Sequence, residues 1–179
     1  MKGCEKAADF VSFCDAFDIP VLTLTNVKGY EATVYSEKNI AKAAAKLTYA
    51  FANATVPKVN VVIGKALGTA AIVMNSKAIG ADMVFAWPNA EIAVMGAAGA
   101  ANIIHASEIA KSADPEALRA QKIEEYKEKF ANPYVAASYG LVDDVIDPRD
   151  TRIKLMQSLE MLRNKKEDRP AKKHGNIPL

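Results

Sequence analysis

The chain has 179 residues, half of them hydrophobic and a quarter charged, which suits one globular domain with a real core. A formal charge of only +2 sets nucleic acid aside as a partner, and the basic residues near the end, "RNKKEDRPAKKHG", are mixed with acids as on a solvated face. With no apolar run of membrane-spanning length and no signal-peptide core at the start, the reading is a cytoplasmic protein without direct membrane insertion.

The order along the chain reads as alternating helix and strand. Lys2 to Phe17 carries Ala7, Phe10, Val11, Phe13, Cys14 and Phe17 on one helical face. Cys4 and Cys14 share this helix about three turns apart, too far to bridge, so both are expected as reduced thiols. "DIP" ends the helix. Val21–Thr25 reads as a short strand closed by the polar turn "NVKGY". Ser36 is the expected N-cap of a long alanine-rich helix, Glu37–Asn53. Val59–Ile63 reads as a buried strand. The stretch "GKALGTAAIVMNSKAIGAD" turns at Gly68 into a small-residue helix, Thr69–Ser76, followed by a strand near Met83–Phe85.

"WPNAEIAVMG" reads as a tight turn and one more short strand, and "GAAGAANIIHA" opens a helix. Asp114 and Pro115 suit the N-cap and first turn of the charged helix "PEALRAQKIEEYKEKF". "ANPYVAASYG" is a short helix closed by Gly140, "LVDDVIDP" a strand or turn, and Arg149–Lys165 the last helix. The sum is an α/β domain with extra C-terminal helices and no clean tandem repeat.

Side-chain chemistry is sparse. No His or Cys stands at metal-ligand spacing, so no metal site is expected. His105 lies among apolar residues on a helix and His174 in the tail. Asp143 and Asp144 would face opposite ways on a strand, which argues against a joint acid/base role. No nucleophile elbow, P-loop or dinucleotide fingerprint is present. What remains are the clusters "ALGTAA" and "MGAAGAA", small residues where extended chain gives way to helix. Two readings stay open. Small residues permit close helix-on-sheet packing. They also let a ligand oxygen approach the unpaired N–H groups of a helix start, an oxyanion hole in which one lost donor costs about 3–4 kcal/mol.

"KALGTAAIVMNSKAIGADMVFAWPNAEIAVMGAAGAANII", then "FANPYVAASYGLVDDVIDPRDTR" and the closing "KKHGNIPL", resemble the C-terminal half of the β (carboxyltransferase) subunit of biotin-dependent acyl-CoA carboxylases, of the propionyl-CoA carboxylase and methylmalonyl-CoA carboxyltransferase type. "EKAADFVSFCDAFDIPVLTLTNV" and "ATVP" fit the same half, so the resemblance covers essentially residues 1–179, with 166–179 as an extended tail. It implies the crotonase-like fold, a spiral of ββα units, with one of the family's two such domains present. It also implies transfer of carboxyl from carboxybiotin to a short acyl-CoA such as propionyl-CoA, with biotin carried on a partner protein and acyl-CoA as substrate. The implied partners are a carboxyltransferase N-terminal domain or subunit, the biotin carboxyl carrier, the biotin carboxylase and further copies of this chain.

By the same resemblance, the main-chain N–H groups of Thr69 and Ala70 hold the ureido oxygen of biotin. The charge gathered there makes N1 of biotin a better leaving group, and N1 then deprotonates the acyl-CoA. Gly29, Tyr30, Gly68, Ala71, Ile72, Gly96 and Gly99 fall on biotin- or acyl-CoA-binding positions, with Ile72 at a position associated with acyl-chain choice. The chain departs from the family pattern. "KALGTAA" stands where "KAYGGAY" is typical, so Thr69 replaces a glycine and Ala71 an aromatic residue. "NVKGY" stands where "DVPGF" is common, and Ala98 where a glutamate is usual. Two alternatives accompany this reading: a biotin-dependent acyl-CoA decarboxylase running the transfer in reverse, and a non-catalytic assembly subunit. The opening at Met1 falls at the family's domain junction, which fits either a separately encoded subunit or part of a longer chain.

Overall fold

The computed structural model describes residues 2–178. Its first helix, α1 (Lys2–Ala16), leads to β1 (Val21–Val27), α2 (Val34–Asn53) and the long strand β2 (Lys58–Leu67). Then follow α3 (Gly68–Val73), β3 (Met83–Ala86), β4 (Glu91–Ala93), α4 (Ala97–Ile104) and α5 (Ala106–Lys111). The chain closes with α6 (Pro115–Phe130), α7 (Pro133–Ser138), β5 (Asp144–Val145) and α8 (Thr151–Met161). Each strand pairing is parallel, as expected where helices cross over between strands. The sheet runs β1-β2-β3-β5, and β4 continues alongside the far half of β2.

β2 organises the core because it is buried on both faces. Val59 and Val61 point with Phe85 and Ile146 toward Leu155 and Leu159 of α8. Each such fully buried side chain contributes about 1.5–3 kcal/mol. Asn60 and Val62 point the other way. There Val62 and Val84 meet Ala136 of α7, while α1 and α2 pack with Val21, Val56 and Val73. β1 has only one covered face: Val21, Thr23 and Thr25 are buried, whereas Leu22 and Leu24 are exposed.

Four expectations are corrected. The buried face of α1 is Ala8, Val11 and Cys14, while Phe10, Phe13 and Phe17 are 60%, 55% and 65% exposed. The helix carries two apolar stripes, and periodicity does not say which one α2 covers. The N-cap of α2 is Thr33 rather than Ser36. Thr33 Oγ1 accepts the Ser36 N–H at 3.1 Å and Ser36 Oγ accepts the Thr33 N–H at 2.9 Å, a reciprocal cap that places Ser36 inside the first turn. α3 stops at Val73 because Asn75 takes a left-handed backbone, φ 56°. The last α-helix spans Thr151–Met161, preceded by a 3₁₀ turn at Pro148–Asp150.

The tail straps the start of β2. Lys58 is buried, its N–H donates to Asp82 Oδ2 at 2.7 Å and its Nζ to the Phe51 carbonyl at 2.8 Å. Burial, then the neighbouring Lys165 charge, pulls the Lys58 pKa below its ordinary value. Lys165 pairs with Asp82 at 3.0 Å, and Arg169 reaches the Ala52 carbonyl at the end of α2. Further on, the Asn176 N–H donates to Tyr49 Oη at 3.0 Å. A Cβ on Gly175 would press on that oxygen, so a larger residue there would have to displace the Tyr49 hydroxyl.

Candidate active site

The expected site turn ends β2 and starts α3. Leu67 is the N-cap, and among the described residues no side chain caps the helix start. Gly68 has φ 65°, a left-handed conformation that side-chain-bearing residues rarely adopt, and a Cβ there would lie 3.5 Å from the Val94 carbonyl. A left-handed residue followed at once by helical residues turns successive N–H groups into one concavity, a shape suited to an anionic oxygen. The N–H groups of Thr69 and Ala70 fall in the first turn, where helix geometry offers no intrahelical acceptor. A six-residue helix has a short dipole, so local donors matter more here than the macrodipole.

Polar groups beneath the turn hold α3 in place. Thr25 Oγ1 donates to Asn60 Oδ1 at 2.8 Å across the β1–β2 pair. Asn75 Nδ2 donates to Thr23 Oγ1 at 3.1 Å and to the Val59 carbonyl at 3.3 Å. Asn75 is completely buried and left-handed. So α3 is fixed by a left-handed glycine at its entry and a left-handed asparagine beyond its exit. Sequence reasoning missed Asn75. Its signal is an asparagine closing a short helix between "IVM" and "SK", a residue type that tolerates this conformation.

α3 borders a cavity of about 700 Å³, within the range of small-molecule sites. Gly68, Thr69, Ala71 and Ile72 line it, as do Thr25, Asn60 and Ser76. Thr69 is exposed at this wall, whereas the methyl of Ala70 is buried behind it. Ser76 Oγ is buried and finds no hydrogen-bond partner among the described residues. Lys77 also lines the cavity, but its ammonium is engaged by both Asp143 oxygens at 2.8 Å and by the Asp82 carbonyl.

The other expected binding residues lie elsewhere. Gly29, with φ 134°, sits in the loop after β1 with open space around it. Tyr30 packs against the α1–α2 core, its hydroxyl buried without a partner among the described residues, and burial followed by the nearby Cys4 raises its pKa. Gly96 is the N-cap of α4, 3.8 Å from Leu67 Cδ1 by its would-be Cβ, and Gly99 lies in the first turn of α4 in open space. None of these four lines the cavity. Asp143 and Asp144 have separate partners, Lys77 and Lys154. His105 joins α4 to α5 and pairs with Glu108 at 3.0 Å.

The parallel-stranded α/β domain shares its fold with solved carboxyltransferases, which places it in the crotonase-fold class. The chain belongs to the carboxyl transferase domain family, whose model it matches over residues 1–177. It is 55% identical over 184 residues to the propionyl-CoA carboxylase beta chain of Saccharopolyspora erythraea, covering 100% of this chain and 34% of that one. It is 50% identical over 186 residues to the methylmalonyl-CoA decarboxylase subunit alpha of Propionigenium modestum, covering 100% and 36%. Among solved structures, the transcarboxylase 12S hexamer crystallised with methylmalonyl-CoA superimposes with a TM-score of 0.93 at 54% identity, over 98% of this chain and 34% of that one. The beta subunit of Pseudomonas aeruginosa geranyl-CoA carboxylase gives 0.78 at 31%, over 99% and 34%. The chain thus spans about a third of the length of these relatives.

Proposed function

We propose that the chain is the biotin-side half of a cytoplasmic carboxyltransferase, moving carboxyl from carboxybiotin to a short acyl-CoA such as propionyl-CoA. The observation that carries the reading is the family membership over nearly the whole chain, joined to an uncapped, glycine-led helix start at the rim of a cavity. The residues fit a compact ring that presents a carbonyl oxygen. Gly68 and Ala71 add no bulk, and among the described residues no side chain caps the helix start that carries the Thr69 and Ala70 N–H groups. The β-branched Thr69 faces open cavity, so its side chain narrows the approach without removing its N–H.

When bound on its carrier protein, carboxybiotin supplies the carboxyl group that is transferred. The chain's own part is to donate two main-chain hydrogen bonds to the oxygen that gathers negative charge, each contributing about 3–4 kcal/mol to the barrier reduction. Thr25, Asn60 and Ser76 supply polar groups in a lining that is otherwise mostly apolar. The N-terminal carboxyltransferase half, the biotin carrier and the biotin carboxylase complete this assignment, with Gly29, Tyr30, Gly96 and Gly99 kept as candidates for the assembled site.

A second reading, the reverse transfer of a decarboxylase, draws on the 50% identity to a methylmalonyl-CoA decarboxylase subunit. The test is reconstitution. Mixed with an N-terminal carboxyltransferase half and a carboxylated biotin carrier, the chain is expected to yield methylmalonyl-CoA from propionyl-CoA. Carboxylation of the carrier only from methylmalonyl-CoA would favour the second reading. No transfer in either direction with any partner half would leave an assembly role.

A further inference from the structure

We infer that Lys165 and Arg169 make the tail a releasable strap: closed, it seals Lys58 and holds the carboxyl end of α2, and open, it slackens the support of α3. The last carbonyls of a helix have no intrahelical partner, and α2 carries no basic residue in its last turn to meet them. Cations from elsewhere do so. Lys58 Nζ donates to the Phe51 carbonyl at 2.8 Å, and Arg169 donates to the carbonyls of Ala52 and Ala54. Lys165 donates to the Val56 carbonyl at 3.2 Å and to Asp82 Oδ2 at 3.0 Å, the oxygen that also accepts the Lys58 N–H. Glu167 pairs with both tail cations, at 3.4 Å with Lys165 and 2.7 Å with Arg169. Lys58, only 1% exposed, thus has Lys165, Glu167, Asp82 and Arg169 as charged neighbours.

Two features make the strap releasable. No residue from Arg163 to Ile177 is buried, so closure rests on polar bonds and adds little to the core. A segment of that kind opens locally, at a lower free energy than global unfolding. The cluster also sets three cations against two carboxylates and takes Lys58 out of water, a cost that offsets part of each ion pair. Opening reaches the site through α2. Phe51, whose carbonyl Lys58 holds, shares one core cluster with Leu47 and Ala50 of α2 and Val73 of α3. Loosening the end of α2 therefore loosens what α3 rests on, and a misplacement of about 1 Å at reacting groups costs up to roughly 100-fold in rate.

The experiment acylates the full chain with an N-hydroxysuccinimide ester and reads the labelled lysines by peptide mass spectrometry. Lys165→Gln with Arg169→Gln is expected to raise the rate at Lys58, relative to the exposed Lys38 of α2, by about tenfold or more as charge-assisted bonds are lost. Lys166→Gln with Lys173→Gln, exposed positions of the same segment, should leave it unchanged. Cys14, 2% exposed in the α1–α2 core, should stay closed to a maleimide throughout. A Lys58 rate within about twofold of the parent in the double variant overturns the strap. So does Cys14 opening in step with Lys58, which means global unfolding. Where the double variant does not fold, Arg169→Lys decides in its place: it keeps the charge but loses the fork, should raise the Lys58 rate by a smaller factor, and overturns the strap if the rate does not rise. The link to α3 rests on the carboxyltransferase reading and is measured in the assembled enzyme. There the double variant is expected to lower kcat by about threefold or more with KM for acyl-CoA within about twofold. Unchanged kcat with Lys58 exposed overturns the link. Absence of transfer by the unsubstituted assembly overturns the carboxyltransferase reading instead, and is told apart because the labelling needs no activity.

Discussion

Gly64 and Asn26 show how one pair of residues fixes the approach of two strands. Asn26 sits at the irregularity where the β1–β2 register shifts, and its Oδ1 accepts the Lys65 N–H at 2.9 Å. A Cβ on Gly64 would lie 2.6 Å from that oxygen, so the bond and the glycine are one device. Gly64→Ala is expected to destabilise the fold by about 1–2 kcal/mol, read as a lower urea midpoint, by displacing Asn26 from its bond. In the background Asn26→Ala the same substitution should cost at least 0.5 kcal/mol less, the signature of coupled neighbours. Equal costs in the two backgrounds would show that the strain lies elsewhere. At this scale the sequence was legible where backbone chemistry is local. Asp114 caps α6 through the Ala117 N–H at 3.0 Å, and Gly140 closes α7 with φ 71°. It was not legible for Lys58, because nothing local to "PKVNVV" says that a tail over a hundred residues later will bury that lysine.

Among elements, α3 is the one whose placement matters most, and Asn75 is its anchor. Asn75→Ala removes the bonds to Thr23 and to the Val59 carbonyl and puts a Cβ residue without a polar side chain in the left-handed region. The combined cost is expected at about 2–4 kcal/mol. Asn75→Gly should recover about 1 kcal/mol of that by relieving the backbone term, measured from thermal midpoints of the two variants. Equal midpoints would assign the whole effect to the lost hydrogen bonds. The strand-to-helix switch at Gly68 was readable from small residues following a β-branched run. The exit from α3 was not, because helix pattern continues on paper to Ser76 and only the sheet beneath supplies the partners that stop it. The same limit explains why four of the expected ligand positions, Gly29, Tyr30, Gly96 and Gly99, fall outside the cavity. They were assigned by family pattern, whereas the cavity lies between α3, the β2 face and residues of α4, α6 and α7 brought there from far along the chain.

For the whole molecule, the uncovered apolar surface is the dominant fact. Phe10, Phe13 and Phe17 form an exposed stripe on α1, and Leu22 and Leu24 an exposed strip on β1. Contiguous apolar surface of this kind marks association. In light scattering the chain is expected to exceed its single-chain mass of 19.3 kDa, and Phe13→Glu with Phe17→Glu to reduce that mass without loss of helix. A chain that stays monomeric at high concentration would remove this surface as an interface. No helix among the described residues is long and apolar enough to cross a membrane.

In the proposed function an amide hydrogen, not a side chain, does the chemistry at position 69. The direct measurement replaces the Thr69 amide by an ester, through its α-hydroxy counterpart, and compares carboxyl-transfer rates in the assembled enzyme with those of Thr69→Ala. Loss of one such donor predicts a roughly 100- to 1,000-fold fall in kcat for the ester, while the alanine variant, which keeps its N–H, stays within a few-fold of the parent. An ester variant as fast as the parent would contradict the claim outright.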